Sequence, residues 1–388
     1  MQPEELPMQT RQTPSRVLIF SQRNLTSIQP FLCPHVEFED VIAQVDDVDM
    51  LAPRFNPNTR RQRIAKQLAY HTPFRLNPGI ESTSIGAKYD LFLAICGNPT
   101  DLLRVHAAGD WRSKCRMAVC LIDEMWARQI NRYKNYIRML GEFDLVVLYY
   151  SMSIEPLNQR IGSKGLFMPP GVDALRFCPW PDPPQRSIDV YSAGRRSAVT
   201  HQALVHMAKE DGIFYLHDST SADRVLDPIE HRMLFANLLK RSRYFIVNPG
   251  LIDQPAIRGN QIEIGNRYFE GAAAGAIMIG VRPDNGAFGK FFNWSEPMID
   301  LPWDSSAIAD VIRECDRDPE HQETIRRRNV EQALLQHDWL YRWETVLNTL
   351  GMDLLPKAQA RKQRLQSLAE VVRKGASSRS VPYVVSAK

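Results

Sequence analysis

Short apolar segments recur along the whole chain, and most are followed by turn residues and then by a stretch that suits a helix. They are apolar almost throughout and do not alternate with polar residues, which is typical of strands buried on both faces of a parallel sheet. Intervals of about 20 to 45 residues leave room for a crossover helix between most neighbours. The pattern predicts an α/β protein with two doubly wound, Rossmann-like parallel-sheet domains. The segments are 16–20, 90–96, 116–122, 144–150, 165–169, 188–194, 213–218, 243–248, 276–281 and 297–301.

A proline-rich stretch separates the two sets of segments. Residues 169–185 contain six prolines, too many for a helix and unsuitable for a central strand. We interpret this stretch as a hinge, and residues 305–351 as helices that extend the second domain. The predicted organisation is a flexible N-terminus at 1–14, a first Rossmann-like domain at 15–169, a proline-rich hinge at 170–186, a second domain at 187–350 and a basic tail at 351–388.

The charge of the chain is uneven. The net charge is +4, but residues 356–388 hold eight Lys or Arg and one acid, which leaves −3 for residues 1–355. We interpret the basic segment as a solvated tail or as a peripheral contact with an anionic membrane, which attracts basic residues. The run of basic residues from 357 to 379 contains no aromatic residue, so specific nucleic-acid binding is not predicted.

Several classes of protein are excluded. No apolar stretch approaches the ~20 residues of a membrane-spanning helix, and the first 16 residues lack the apolar core of a secretory signal. The six cysteines are scattered, so a cytoplasmic protein with reduced thiols is expected. The Asp-x-Asp pairs at 47–49 and 316–318 do not follow predicted strands, and neither a metal site nor a cofactor is predicted. P-loop, G-x-S-x-G and H-E-x-x-H motifs are absent from the sequence.

The most informative segment is NRYFEGAAAGAIMIG, residues 266–280. Glu270 is followed by five small residues, beginning with Gly271, that let a helix press against a sheet or let a ligand approach its backbone. A carboxylate near the start of such a helix can accept hydrogen bonds from the two hydroxyls of a ribose, as in dinucleotide sites. The alternative is close helix–sheet packing beside an incidental surface glutamate. Under the ribose interpretation, removal of Glu270 abolishes nucleotide binding and leaves the melting temperature nearly unchanged.

Two further motifs accompany this segment in a characteristic order. PPGVDALRFCP lies upstream at 169–179, and HDWLYRWETVL lies downstream at 337–347. Together the three motifs resemble the group 1 glycosyltransferases of GT-B fold, most of all their CgeB-like, spore-maturation-type branch. The resemblance covers residues 168–350. It implies an acceptor-side N-terminal lobe, a C-terminal lobe that holds a nucleotide-diphosphate sugar as co-substrate, a cleft between them, and no obligatory metal.

The segment SAGRRS at 192–197 is the second candidate for donor binding. Gly194 lies in a turn directly after a predicted strand, at the sheet edge where ligands bind in open α/β folds. Arg195 or Arg196 could neutralise a departing diphosphate by bidentate hydrogen bonding, and the family often has Gly-Arg here. The alternative is an exposed arginine pair. The lysine that often follows in the family is missing here, and Arg267 could take its role.

Further candidates come from the ends of predicted strands and from the family pattern. Many group 1 enzymes carry a second glutamate upstream of the first, and the nearest acid to Glu270 is Glu263, which we assign to the sugar. Asp123 follows a predicted strand at the edge facing the cleft, where a carboxylate could activate an acceptor hydroxyl or, alternatively, cap a helix. His217 ends another predicted strand and could touch the donor. The predicted catalytic residues are Asp123 and Glu263, and the predicted donor-binding residues are Glu270, Arg267, Arg195, Arg196, Gly194, Gly271 and His217.

The sequence therefore predicts a glycosyltransferase of hexosyltransferase type that transfers a sugar from a nucleotide-diphosphate sugar to a glycan or envelope-related acceptor. The acceptor is a glycan, a lipid-linked molecule or a protein. Two alternatives stay open. A nucleotide-sugar 2-epimerase shares the two-lobed fold and would convert the donor without an acceptor. A non-catalytic GT-B-like protein would bind a glycan or nucleotide without transfer.

Overall fold

The computed structural model describes residues 15–24, 28–54, 59–81, 83–219 and 224–375. Its strands form two separate sheets, one of six strands in the order β2-β1-β3-β4-β5-β6 and one of five in the order β11-β10-β9-β7-β8. All neighbouring strands in both sheets run parallel. The predicted class, an α/β protein with two Rossmann-like parallel-sheet domains, is therefore confirmed. The strands are β1 Val17–Phe20, β2 Val48–Leu51, β3 Tyr89–Cys96, β4 Cys115–Ile122, β5 Leu145–Leu148, β6 Gly165–Phe167, β7 Ile188–Ser192, β8 Tyr215–His217, β9 Ser242–Val247, β10 Ile277–Gly280 and β11 Ile299–Asp300.

Helices connect the strands and extend the second sheet. Short 3₁₀ helices lie at Pro30–Leu32, Pro99–Asp101, Ala127–Tyr133, Leu140–Glu142 and Ser151–Ser153. The α-helices are α1 Cys33–Val45, α2 Thr59–His71, α3 Leu102–Ala107, α4 Trp111–Lys114, α5 Lys134–Met139, α6 Ile154–Ile161, α7 Ala174–Phe177, α8 Ala198–Glu210, α9 Pro228–Lys240, α10 Pro255–Arg258, α11 Asn266–Ala274, α12 Ala287–Phe291, α13 Ile308–Cys315, α14 Pro319–Gln336, α15 Trp339–Thr349 and α16 Pro356–Lys374.

Strand β3 explains why the strand segments are apolar throughout. Leu91, Leu93 and Ile95 pack into the core on one face of the first sheet. Phe92 and Ala94 pack into a separate core on the other face. Because successive side chains of a strand point to opposite faces, a sheet covered on both sides needs apolar residues at every position. The same arrangement makes each sheet the middle layer of its domain.

The last helices of the chain return to the first sheet. Val172, just after β6, exchanges backbone hydrogen bonds of 3.0 Å with the segment that begins α15. Trp339 at the start of α15 stacks on Phe38 of α1, with ring centroids 4.6 Å apart. The hinge and the C-terminal helices thus connect the second domain to helix α1 of the first. The exact domain boundaries stay a prediction.

The segment predicted as a basic tail forms helix α16, which buries apolar residues such as Leu365 and Val372. Four of its basic residues pair with acids elsewhere in the chain. Much of the charge of the described part of this segment is therefore balanced inside the molecule, while residues 376–388 lie outside the described part. Contact of residues 356–388 with an anionic membrane stays a prediction. The pairs are Lys357–Asp47, Arg361–Asp173, Arg361–Asp338, Lys362–Glu344 and Arg373–Glu331.

None of the helices in the described ranges is both long enough and apolar enough to cross a bilayer.

Candidate functional site

A cavity of about 300 Å³ lies where the carboxyl ends of strands from both sheets face each other. Loops after β4 and β5 line it from the first sheet, and the loops after β7 and β9 line it from the second. Its volume is at the lower end of the range found for small-molecule sites, and its position is where open α/β sheets bind ligands. The lining residues are Phe31, Asp123, Glu124, Tyr150, Pro170, Arg195, Gly250, Leu251, Glu263, Ile264, Gly265 and Asn266.

Three of the predicted site residues meet at this cavity. Asp123 comes from the first sheet, and Arg195 and Glu263 come from the second. They are 72 and 68 residues apart in sequence, and only the packing of the two sheets brings them together. The predicted cleft is thus present, with candidate acceptor-side and donor-side residues on opposite walls.

Asp123 is held by an interaction that the sequence did not indicate. Its carboxylate Oδ2 lies 2.9 Å from Nε2 of His35, a buried residue of helix α1. Its backbone N–H donates to the carbonyl of Cys96 at the end of β3. No α-helix begins at Asp123 in the structure, so the alternative of a helix cap does not apply. One oxygen of the carboxylate is oriented by the imidazole while the side chain lines the cavity.

Glu263 is buried and joins the two sheets. Its carboxylate accepts hydrogen bonds from the backbone N–H groups of Ser151 and Met152, both at 3.0 Å, and from the side chain of Gln261 at 2.8 Å. Burial raises the pKa of Glu263, and these donors lower it in part. The carboxylate therefore fixes the loop before α11 against the loop after β5. Its assignment to the sugar stays a prediction.

Arg195 carries the positive charge of the cavity wall. Its Nη1 lies 3.1 Å from Oδ1 of Asp253, and the side chain is partly exposed. An exposed pair of this kind is weak, so the guanidinium remains available to a more highly charged anion. Opposite, Glu124 accepts a hydrogen bond from the indole N–H of Trp126 at 2.6 Å, and burial raises the pKa of its carboxyl group.

Asn266 is a cavity residue that sequence reasoning missed. It is the first residue of α11, and its Oδ1 is buried with no hydrogen-bond partner among the described residues. A buried acceptor without a partner costs free energy of about 1–3 kcal/mol, which a donor group of a ligand would recover. The only signal in the sequence was its place two residues before the tyrosine–phenylalanine–glutamate run. A ligand hydroxyl in the cavity is the kind of group that would satisfy Asn266.

The other predicted donor residues do not line this cavity. Gly194 has φ of +86° and donates its N–H to Asp218 at 2.7 Å, which fits a tight turn after β7. Arg196 donates to the carbonyl of Asp218 and lines a small neighbouring cleft. His217 packs at right angles to the ring of His201, with centroids 4.9 Å apart.

Gly271 faces the sheet: a Cβ there would lie 2.8 Å from the side chain of Met278. The structure gives it the packing role of a small residue between α11 and β10.

Glu270 lies one helical turn beyond Asn266 and is completely buried. Its Oε1 accepts a hydrogen bond from Arg232 of α9, and its Oε2 accepts one from Arg267 at 2.8 Å. Arg232 is itself buried and also binds Glu37 of α1, with Nε 2.8 Å from Oε2. Glu270 thus belongs to a charge network that links α11 and α9 of the second sheet to α1 of the first. Its role at a ribose stays a prediction, and its role in this network is an observation.

The network controls the protonation of its carboxylates. Burial by itself would raise the pKa of Glu270, but the neighbouring Arg267 and Arg232 outweigh it and hold the pKa below its usual value. Burial acts in the same way on Glu37, where Arg232 and Arg176 lower the pKa overall. Both groups are therefore charged at neutral pH. The expectation that loss of Glu270 leaves stability unchanged no longer holds, because it would leave a buried arginine partly uncompensated.

This network predicts a specific loss of stability in acid. A carboxylate whose folded pKa is depressed contributes stability above its unfolded pKa of about 4.3 and loses it as the pH falls through the lower folded value. Below about pH 4.5 the free energy of unfolding should therefore fall more steeply in the parent protein than in a Glu37→Gln/Glu270→Gln variant, measured by urea denaturation. Both proteins contain the same other carboxylates, so the contributions of those groups to the pH dependence cancel in this comparison. Equal slopes would contradict the lowered pKa values.

Comparison with known proteins agrees with the fold. Residues 198–348 match the model of a family described as glycosyl transferase-like. The structure of Anabaena HepE in complex with UDP-glucose has a TM-score of 0.50 at 12% identity, with coverage of 87% of this chain and all of that one. A UDP-forming α,α-trehalose-phosphate synthase from Burkholderia vietnamiensis has a TM-score of 0.52 at 10% identity, covering 91% and 99%. No curated protein has a sequence that matches the chain.

These matches confirm the resemblance to glycosyltransferases of GT-B fold. The family match covers most of the second sheet and its helices and includes two of the three sequence motifs, those at 266–280 and 337–347. The structural matches extend over both sheets and show the fold. The CgeB-like branch stays a prediction.

Proposed function

We propose that this protein is a glycosyltransferase that takes its sugar from a nucleotide-diphosphate sugar bound in the 300 Å³ cavity. The single observation that carries the proposal is the junction of Asp123 from the first sheet with Arg195 and Asn266 from the second at one cavity. A GT-B neighbour crystallised with UDP-glucose and the glycosyl transferase-like match to residues 198–348 support the donor class.

The donor would lie against the second sheet. Arg195 and the N-terminal end of α11, which has no side-chain cap, offer positive charge to the diphosphate. Asn266 Oδ1 would accept a hydrogen bond from a sugar or ribose hydroxyl. Departure of the nucleoside diphosphate would then be stabilised by fixed charge already in place. Arg196 and Arg267 are further cations on the same side, and we retain them as candidates for the diphosphate.

The acceptor would enter from the first sheet. Asp123, oriented by His35, would take the proton of the acceptor hydroxyl as that oxygen attacks the anomeric carbon. Phe31 and Tyr150 of the same wall offer apolar surface to a sugar ring or another carbon skeleton. Glu263 would hold the shape of the cavity between the two walls. We propose hexosyl transfer to a hydroxyl-bearing acceptor, without a metal in the proposed steps.

A thermal-shift series with UDP-, GDP-, ADP- and dTDP-sugars tests the proposal. A donor that binds only the folded protein raises its stability with the logarithm of donor concentration over Kd, so one donor should raise the melting temperature increasingly with dose. Absence of a shift with all of these donors up to millimolar concentration would overturn the donor class. A donor that binds without hydrolysis or transfer would favour a binding protein, and acceptor-free conversion of its sugar would favour an epimerase.

A substitution at Arg195 should weaken that donor. A hydrogen bond to a charged group contributes about 1.5–3 kcal/mol, so Arg195→Ala should raise the Kd of the preferred donor about 10- to 100-fold in calorimetry. The matched control is Arg282→Ala, which removes a similarly exposed arginine paired with Asp300 on the same domain. Equal affinity of parent, Arg195→Ala and control would exclude Arg195 from the diphosphate site.

A further inference from the structure

A second feature of the first domain has no part in the proposed reaction. Residues 59–77, which include α2, hold five Lys or Arg and no acid, and residues 127–141, which include α5, hold four and no acid. The two segments pack together, since Tyr136 of α5 donates its hydroxyl hydrogen to the carbonyl of Lys66 in α2 at 3.0 Å. The guanidinium of Arg132 lies 5.2 Å from the ring centre of Tyr70. The two segments carry nine basic residues in all, and we call the surface that they form around α2 the α2 basic surface.

The charge of this surface faces solvent. Ala65 and Ala69 are buried and lie on the inner side of α2. Arg60, Arg63 and Ile64 are three and four residues apart, so they share one face of the helix, and this face is exposed. Within the described part of the chain, Arg60, Arg63 and Lys66 have no ion-pair partner. This differs from α16, whose basic residues largely pair with acids of the same chain. Arg75, at the end of the segment, pairs with Glu142.

Large apolar side chains are exposed among these charges. Ile64 is 59% exposed, Phe74 is 70% exposed and Leu76 is 36% exposed. The loop that carries Phe74 and Leu76 folds back along α2, because Arg61 donates from Nε to the carbonyl of Asn77 at 2.8 Å. Exposed apolar groups surrounded by one sign of charge are unfavourable in water and mark a surface that is covered when the protein functions.

We infer that the α2 basic surface binds the face of an anionic lipid bilayer. Lipid headgroups supply the negative charge that Arg60, Arg63 and Lys66 lack, and the acyl boundary accepts apolar side chains beside a basic helix. Nucleic acid would match the charge as well, but two of the three exposed apolar side chains, Ile64 and Leu76, are aliphatic, and only Phe74 offers a ring on which a base could stack. The combination of unpaired cations with exposed aliphatic groups favours lipid.

Co-sedimentation with vesicles tests this inference. The full chain should bind vesicles of phosphatidylcholine with about one third phosphatidylglycerol at least tenfold more tightly than pure phosphatidylcholine. An Arg60→Glu/Arg63→Glu/Lys66→Glu variant should lose at least tenfold in affinity for the anionic vesicles. An Ile64→Ser/Phe74→Ser variant, which keeps the charge, should also bind several-fold more weakly. The control, Arg364→Glu/Lys374→Glu, alters exposed basic residues of α16 and should bind as the parent does.

The possible outcomes distinguish lipid binding at the α2 basic surface from lipid binding at α16 and from nucleic-acid binding. Unchanged binding of both α2 variants, or no binding of the parent to anionic vesicles, would overturn it. Loss of binding in the α16 control alone would move the membrane contact to residues 356–388. Binding of a 30-nucleotide single strand that depends on the three basic residues, without vesicle binding, would replace lipid by nucleic acid. Circular dichroism shows whether each variant is folded, and an unchanged thermal shift with the nucleotide sugar shows that the donor site is intact.

Discussion

Arg232→Met should lower the free energy of unfolding at pH 7 by about 3–5 kcal/mol, the loss typical of breaking a buried ion pair by removing one partner. Arg232 is buried and binds two carboxylates at once, Glu37 through Nε and Nη2 and Glu270 through Nη1. Methionine fills similar space without charge, so both carboxylates would stay buried with less compensation. Arg267 and Arg176 would remain as partial partners, from more exposed positions. Urea denaturation at pH 7 measures the effect.

The pH dependence of this variant identifies the cause. Without Arg232, burial would raise the folded pKa values of Glu37 and Glu270, so the folded state would bind protons more tightly than the unfolded chain. The stability deficit should therefore shrink as the pH falls from 8 towards 5, opposite to the behaviour of the intact network. Adding Glu37→Gln and Glu270→Gln should restore part of the loss at neutral pH.

The matched control is Arg313→Met on the surface. Arg313 also contacts two carboxylates, Asp211 and Asp310, but its side chain is 52% exposed. Because exposed pairs contribute little, its loss should leave the free energy of unfolding nearly unchanged. If Arg232→Met behaved like this control, the network would not hold the two sheets together.

Asp123→Asn should reduce turnover of the preferred nucleotide sugar by about 10²- to 10⁴-fold, the usual contribution of a positioned general base. The change keeps the shape of the side chain and its contact with His35, so the melting temperature should move little. Release of nucleoside diphosphate gives the rate, with water as acceptor until the natural acceptor is identified. Donor affinity should stay within about threefold, because Asp123 lies on the wall opposite Arg195.

Two further variants, one at His35 and one at a distant aspartate, complete this experiment. His35→Asn would leave Asp123 without its orienting partner, so turnover should fall less than in Asp123→Asn and its pH profile should shift. Asp310→Asn, at a side chain 82% exposed, should change neither turnover nor affinity. Full turnover in Asp123→Asn, with donor binding intact, would show that Asp123 is not the general base. It would not affect the proposed donor class.

Much of the fold could be predicted because the relevant information is local. Continuous apolar segments indicated strands covered on both faces, and β3 shows the reason, with odd and even residues packing into two different cores. The place of Asp123 and Arg195 at the cavity followed from the same rule, since parallel strands carry their carboxyl ends to one edge. Glu263, which was predicted from its spacing to Glu270 and from the family resemblance, also lines the cavity.

The residues that escaped prediction are those whose partners are distant in sequence. His35 lies 88 residues from Asp123 and is one position among many in an ordinary helix. Glu37 lies 195 residues from Arg232, and no spacing rule connects them. The basic charge of residues 356–374 looked unbalanced until α16 was seen beside the acids that neutralise much of it.

The sequence by itself determined most of the strands, though not β2, together with the two parallel sheets and the side of each sheet that carries chemistry. These features depend on the local pattern of apolar and polar residues. Only the tertiary structure decided which charges meet. Electrostatic partners depend on distances across packed elements, so Glu270, chosen from sequence for a ribose, lies buried between Arg232 and Arg267. The cavity itself exists only where the two sheets are held face to face.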